Sequence, residues 1–378
     1  MAGMKESSEP LIVRYLHMKA EKNRIPLSAT FELTSRCNFS CRMCYVHSTD
    51  CSRNKPLELS AGQWIEIAQK AKEAGTLFVL ITGGEPLVRD DFAEIYEAIA
   101  KMGFVISVNT NGSLIDDKIL DLFTKNRPNR VNVSLYGADG ETYKKLCGAD
   151  AFEKVTGNIM KLRERSIPVK INSSITPYNI DDLDKMIDFC LEKSLVFKAT
   201  GYMFPAVRCQ KECGEKLTPS QIATVRAYLD KRLLSNEDYA ERVRRIKAGI
   251  RAEENPDCPV DDSDFGKIRC RAGRTSAWID WRGNMSYCGM IPADEDCNVL
   301  IKGFNACWDE VSKKASAVRM PSKCAACKYR HICFLCAASQ FCEKGDFAEP
   351  PQYICDTAAC MCGEYEKLLN KNEEGWKV

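Results

Sequence analysis

In the stretch Cys37-Asn38-Phe39-Ser40-Cys41-Arg42-Met43-Cys44, three cysteines stand with three and then two residues between them. Three thiolates on one compact loop hold three irons of a [4Fe–4S] cube. The fourth iron is then left without a protein ligand, and an open iron is where a small molecule coordinates. Zinc is the competing reading, with His47 as a candidate fourth ligand. Structural zinc, however, usually takes four closed ligands, often as two pairs spaced by two residues. The spacing favours the cluster.

The elements that must position this loop are legible on either side of it. Residues 29–34 are a short β-type run, so the thiols lie in a loop at a strand's end. Residues 12–22 pattern as an amphipathic helix leading into that strand. Residues 56–60 read as a turn, with Ser60 as the N-cap of a helix over 61–74 that Gly75 closes. The apolar run 77–81 is a strand buried on both faces, ending in Gly83-Gly84. Helices over 91–101, 116–125, 152–165 and 180–193 then alternate with strands over 104–108, 130–135, 169–174 and 196–200. Six β/α units in succession predict an α/β fold, an open, partial (β/α)6 barrel of the TIM type. In such folds the chemistry gathers at the carboxyl ends of the strands, where both the cysteine loop and Gly83-Gly84-Glu85 fall.

The totals exclude several function classes. With 54 basic and 52 acidic residues among 378, the net charge of +2 gives no support to nucleic-acid binding. No apolar run reaches the length of a membrane span, and residues 1–10 lack the apolar core of a secretory signal. The 21 cysteines are the outlier. In a small secreted chain they would read as a disulfide framework. Here the chain is large and its thiols are grouped at ligand-like spacings, which fits metal or cluster ligation in a reducing, cytoplasmic setting. With only three histidines, a His-based metal site or general base is not the theme.

The cysteine loop, followed by Thr82-Gly83-Gly84-Glu85-Pro86, resembles the radical S-adenosylmethionine (radical SAM) enzymes over at least the first 200 residues. The resemblance implies that Cys37, Cys41 and Cys44 hold a [4Fe–4S] cluster whose open iron binds S-adenosylmethionine. Electron transfer then cleaves the sulfonium bond to a 5′-deoxyadenosyl radical. It also implies cofactor contacts from Gly83, Gly84 and Glu85, from Ser134, and from Lys145 where relatives often have an arginine. Met43 stands where the family usually has an aromatic residue, and Met43 or Tyr45 is expected to pack on adenine. Asn109-Thr110-Asn111-Gly112, at another strand end, reads equally as pocket lining and as an ordinary Asn-Gly turn.

A second resemblance, to the cysteine-rich SPASM extension of that family, is carried by Cys270, Gly283, Cys288, Cys324-Ala325-Ala326-Cys327, Cys333-Phe334-Leu335-Cys336 and Cys355. It implies two auxiliary [4Fe–4S] clusters, the first on Cys270, Cys288 and Cys336, the second on Cys324, Cys327, Cys333 and Cys355. The gap before Cys336 is two residues where three are usual. The fourth ligand of the first cluster is unassigned, with Cys258 or an open iron as candidates. Cys342, Cys360 and Cys362 are extra thiols that substitute or ligate nothing. A zinc ribbon is the competing reading of Cys324, Cys327, Cys333 and Cys336. Cys51, Cys147 and Cys190 read as buried small residues, while Cys209, Cys213, Cys297 and Cys307 stay open.

The expected organisation is an N-terminal helical arm (1–25), the partial barrel (26–205), a helical linker (206–255), the small iron–sulfur SPASM domain (256–366) and a tail (367–378). The linker's charged stretch 221–252 reads as one or two solvated bridging helices, or else as a wall of the substrate channel. Relatives with this extension mostly modify ribosomally made peptides or proteins, by thioether or carbon–carbon crosslinks or side-chain oxidation. The implied partners are a peptide or small-protein substrate and a flavodoxin- or ferredoxin-type reductant. About 25 residues precede the first strand, too few for a leader-binding module, so a separate leader-binding protein is a further candidate partner. The alternatives are a sulfatase-maturing or quinone-cofactor type of enzyme and, in another class, a non-catalytic electron carrier or zinc scaffold. In the sulfatase-maturing relatives an aspartate follows the cysteine matching Cys288 and acts as base. Here Gly289 follows, which argues against that activity.

Overall fold

The computed structural model describes residues 9–46, 55–206, 216–250, 266–268, 270–293 and 295–369. His47, Cys51, Cys209, Cys213 and Cys258 lie outside them. After helix α1 (Leu11–Lys22), strand β1 (Ser28–Glu32) opens the alternation. It continues through α2 (Ala61–Glu73), β2 (Phe78–Thr82), α3 (Phe92–Lys101), β3 (Val105–Thr110), α4 (Asp117–Lys125) and β4 (Arg130–Ser134). Two helices follow, α5 (Gly140–Cys147) and α6 (Phe152–Glu164), then β5 (Val169–Ser174), α7 (Leu183–Glu192) and β6 (Val196–Thr200). The expected helix starts hold where a cap exists. Ser60 closes a capping box with Gln63, and the Asp116 side chain accepts from Ile119 N–H. Helix α5, capped by Asp139, is an addition to the sequence reading.

The strands form a partial TIM-type barrel, and the sheet is wider than six strands. Its order is β6-β5-β4-β3-β2-β1-β7-β8. Strand β7 (Ser276–Ile279) comes from the cysteine-rich segment and lies parallel to β1, pairing Ser28 with Ser276. Strand β8 (Met285–Ser286) returns antiparallel to it. The C-terminal segment thus extends the barrel sheet, whose strands come from both sides of the expected 255/256 boundary. His17 Nδ1 lies 2.8 Å from Thr275 Oγ1, and Trp308 Nε1 donates to Arg24 O at 2.6 Å, both joining this segment to the barrel's first elements.

Because side chains alternate along a strand, β3 to β5 divide cleanly. Val108, Val131, Val133 and Ile171 are fully buried against the covering helices. Asn109, Asn132 and Lys170 share the other face in adjacent registers, and Asn132 Nδ2 donates to Asn109 Oδ1 at 2.8 Å. Strands buried on both faces therefore carry a polar row on the concave side.

Two helices, α8 (Pro219–Leu233) and α9 (Asn236–Lys247), occupy most of the charged stretch 221–252. They are not a solvated bridge. Ile222, Ala223, Val225, Ala227, Tyr228 and Leu229 of α8 are buried, and α8 packs along α12 (Gln352–Leu369). Tyr365 on α12 donates to Asp230 Oδ2 at 2.5 Å. Arg232, also on α8, pairs instead with Asp184 and Asp188 of α7. Helices α10 (Phe304–Ala317) and α11 (Ala337–Lys344) precede α12 in the C-terminal segment. No helix among the described residues is long and apolar enough to cross a membrane.

Candidate active site

The three-cysteine loop is clamped from two sides by backbone. On one side the β1–β2 pairing continues past the strand ends. Leu33 N–H donates to Thr82 O at 2.9 Å, Gly84 N–H to Thr34 O at 2.8 Å and Glu85 N–H to Arg36 O at 2.8 Å. A Cβ on Gly84 would lie 2.4 Å from Arg36 O, and one on Gly83 would lie 2.7 Å from Thr34 O. The two glycines were expected to let backbone approach a ligand. They also admit the main chain of residues 34–36, which fixes where Cys37 begins. On the other side Ser40 N–H donates to Cys147 O at 3.0 Å and Arg42 N–H to Leu146 O at 2.9 Å, seating the loop on the end of α5.

Glu85 is fully buried and accepts from Leu87 N–H (3.0 Å), Thr110 Oγ1 (2.8 Å) and Asn111 N–H (2.6 Å). Burial raises its carboxyl to about 7, against the opposing pull of those three donors. Asn111 is the joint between this carboxyl and the thiols. Its amide nitrogen donates to Asn38 Oδ1 at 2.8 Å and lies 3.9 Å from Cys37 Sγ. Its oxygen accepts from Ser113 N–H and Oγ at 2.9 and 2.7 Å, and Asn38 Nδ2 returns to Ser113 Oγ at 2.9 Å. The Asn-Gly sequence offered a turn and a pocket wall as equal readings; the ring of hydrogen bonds ties that turn to the cysteine loop.

Behind the loop lies an ion network absent from the sequence reading. Arg36 meets Glu58 through Nε at 3.1 Å and Nη2 at 3.0 Å. Arg89 and Glu58, whose side chains are 4% and 5% exposed, stand 3.6 Å apart. Arg89 also donates to Leu33 O and Leu59 O, both at 2.9 Å, and to both oxygens of Asp91. Removing one member would strand a buried charge. The available signal was Arg89 four residues after Glu85, a charge in the turn leaving a buried strand.

The donor set fits an iron–sulfur cluster. Cys37 Sγ accepts from Phe39 N–H at 3.4 Å in addition to the Asn111 amide, the type of hydrogen bond that cluster thiolates take. Burial, with the charges of Glu85, Cys41 and Cys44, pushes the Cys37 thiol up to about 12, and a hydrogen bond with Cys147 raises Cys41 well above its usual range. Cys147 and Cys190 are buried, as expected of small apolar residues. Among the described residues no three His, Cys, Asp or Glu side chains are placed to hold a metal ion.

Of the other expected contacts, Met43 is buried, and Ser134 ends β4 on the same face as Asn132. Asn132 Oδ1 is a buried acceptor without a hydrogen-bond partner, an orphan on the concave side. Tyr45 follows the third cysteine and is half-buried. Lys145 Nζ stands over the Tyr178 ring at 5.4 Å, and the Arg42 guanidinium shares that ring at 5.0 Å. Arg42 thus adds a second cation at the loop's edge, beside the expected Lys145.

Several of the C-terminal thiols are raised by burial and by one another's charge. Burial and then the charges of Cys355 and Cys327 raise Cys324; burial and the charges of Cys355, Cys324 and Cys327 push Cys333 up to about 11. Cys270 is raised by burial and by the charge of Cys336. Cys297 and Cys307 are fully buried. Gly289, after Cys288, lies beneath the Trp278 ring, where a Cβ would come within 2.5 Å. Trp278 Nε1 in turn donates to Glu32 Oε2 at 2.8 Å. An aspartate therefore has no room at position 289. A cavity of about 790 Å³ opens between β6, α8, α9 and residues 334–339, with Lys198, Tyr202, Arg226, Asp230 and Cys336 on its wall.

Residues 31–190 match the sequence model of the Radical SAM superfamily. The AdoMet-dependent heme synthase of Methanosarcina barkeri is 24% identical over 339 residues, 87% of this chain and 96% of that protein. A probable GTP 3′,8-cyclase of Methanothermobacter thermautotrophicus is 34% identical over 186 residues, and the chain spans 60% of its length. In fold, the chain matches Streptococcus suis SuiB bound to precursor peptide SuiA with a TM-score of 0.66 at 20% identity, covering 94% of this chain and 84% of SuiB. It matches anSMEcpe with bound AdoMet and Kp18Cys peptide with a TM-score of 0.62 at 18% identity, covering 91% and 98%.

Proposed function

Since this chain carries a radical SAM superfamily domain and is an enzyme of that oxidoreductase type, we propose that it modifies a peptide or small protein made on the ribosome. The products in view are thioether or carbon–carbon crosslinks, or oxidised side chains. The chemistry supplied at the three-thiol loop is reductive cleavage of S-adenosylmethionine to a 5′-deoxyadenosyl radical, which starts the modification by taking a hydrogen atom from the substrate. Cys37, Cys41 and Cys44 would hold the [4Fe–4S] cluster. Gly83 and Gly84 fix the loop's backbone, and buried Glu85, through Asn111, orients the Cys37 side. Ser134 and the orphan Asn132 Oδ1 offer polar contacts from β4 to S-adenosylmethionine, Met43 and Tyr45 apolar ones, and Lys145 a positive charge. A flavodoxin- or ferredoxin-type protein would deliver the electron.

The observation that carries the peptide reading is the C-terminal segment, which grows out of the barrel sheet and puts Cys336 on the wall of the cavity beside β6. We assign Cys270, Cys288 and Cys336 to a first auxiliary [4Fe–4S] cluster and Cys324, Cys327, Cys333 and Cys355 to a second. The fold shared with SuiB, solved with its precursor peptide, supports the same substrate class. A cavity of this volume takes a few residues of a peptide, not a folded domain. A heme-forming activity is the second reading, favoured by the whole-length similarity to the heme synthase.

The test is anaerobic reconstitution, then incubation with S-adenosylmethionine, dithionite and either a deuterated random peptide library or a deuterated porphyrin carboxylate. Deuterium in 5′-deoxyadenosine from the peptides is the expected result. Deuterium from the porphyrin alone would replace the peptide reading with the second one. No S-adenosylmethionine cleavage with either substrate would remove both.

A further inference from the structure

Building on the auxiliary-cluster reading, we propose that Cys342 supplies the fourth thiolate of the group formed by Cys270, Cys288 and Cys336. Helix α11 carries two of these thiols. Cys336 is its N-cap, its sulfur accepting from Ser339 N–H at 3.4 Å, and Cys342 lies near the other end. Cα–Cβ bonds tilt toward a helix's N-terminus, so the Cys342 side chain leans back toward the Cys336 end.

The Cys342 thiol is also anchored to the segment that carries Cys288. Its Sγ–H donates to Met290 O at 3.3 Å, inside the turn that Ile291 N–H closes on Cys288 O at 3.0 Å. The next residue, Glu343, is held by Tyr202 OH at 3.0 Å and Lys216 Nζ at 2.9 Å, which fixes this turn of α11. Two other thiols have different neighbours. Cys362 Sγ lies 4.0 Å from His331 Nε2, and Cys307 is buried beside Cys297.

Ligation exchanges the weak S–H contact to Met290 for an iron–sulfur bond. The thiol proton leaves to solvent and no electron moves. A cube with four protein thiolates has no iron exposed to loss or to exogenous ligands, unlike the cube of the three-thiol loop. That difference gives a readout independent of turnover.

The experiment uses the full chain with Cys37, Cys41 and Cys44 all changed to Ala, which removes the one cluster expected to have an open iron. After anaerobic reconstitution this background is expected to hold about eight irons and, on mild ferricyanide oxidation, to give no [3Fe–4S] electron paramagnetic resonance signal. Adding Cys342→Ala should produce that signal and lower the count to about seven irons. Cys342→Ser, which keeps the shape and an oxygen ligand, should hold the fourth iron with a shifted reduction potential, and Cys360→Ala should match the background. Adding Cys288→Ala should remove about four irons. If Cys288→Ala removes iron but Cys342→Ala leaves count and spectrum unchanged, or if Cys258→Ala produces the signal instead, Cys342 is not the ligand and the auxiliary-cluster reading stands. If Cys288→Ala removes no iron, that reading falls and the inference falls with it.

Discussion

Gly84→Ala is the most exacting test of how the cysteine loop is held. The added methyl would sit 2.4 Å from Arg36 O, 2.8 Å from Arg36 C and 2.9 Å from Ser35 O. All three are main-chain atoms, so no side chain can rotate away. One strand end must retreat by about 1 Å to reach ordinary van der Waals contact. That retreat stretches two 2.8 Å bonds, Gly84 N–H to Thr34 O and Glu85 N–H to Arg36 O, at the root of the loop. Overpacking costs about 1–3 kcal/mol and each weakened buried backbone bond about 1 kcal/mol, giving a loss of about 2–5 kcal/mol. Gly62→Ala is the internal control. Its Cβ would meet only Ser60 Oγ at 3.9 Å, inside helix α2. Losing a helical glycine is worth up to about 1 kcal/mol in the favourable direction. Urea unfolding of both variants gives the stabilities, and iron per chain after reconstitution reports the loop. If Gly84→Ala unfolds within about 0.5 kcal/mol of wild type and keeps its iron, the clamp argument is wrong.

Three further outcomes follow from other parts of the structure. Asn111→Ala breaks the ring joining Asn38, Ser113 and the Cys37 sulfur, so stability should fall by about 1–3 kcal/mol and the cluster's reduction potential should shift, readable by spectroelectrochemical titration. Gly289→Asp, which restores the residue of the sulfatase-maturing pattern, drives a side chain into the Trp278 ring. It should destabilise by about 1–3 kcal/mol and confer no formylglycine formation on a sulfatase peptide, followed by mass spectrometry. His17, lowered from 6.5 to about 4 by burial and by Arg271, resists protonation in the folded chain. Its contribution to stability is present above the unfolded value of 6.5 and is lost as pH falls toward about 4. In His17→Gln the urea midpoint should therefore drop less between pH 7.5 and 4.5 than in wild type.

What the sequence by itself determined is what short-range chemistry specifies. Spacing within eight residues named the thiol loop, and caps such as Ser60 and Asp116 with strand-length apolar runs placed six β/α units. Those signals are local, because a helix or strand period repeats within a few residues and a ligand loop closes on itself. The tertiary structure decided the rest. Strand β7 lies beside β1 although nearly the whole barrel separates them in the chain, and four residues of modest pattern gave no sign of that partner. Helix α8 reads as charged, yet α12 covers its apolar side, so burial was set by a helix that begins at Gln352. The glycine pair gives no sign of the second loop it admits, which the register of β1 on β2 brings to it. Cys342 and Cys362 are equal as sequence; the turn at Met290 and the imidazole of His331 distinguish them. A thiol's neighbours across the chain depend on which surfaces pack, and packing is a property of shapes assembled from distant segments rather than of any one segment's composition.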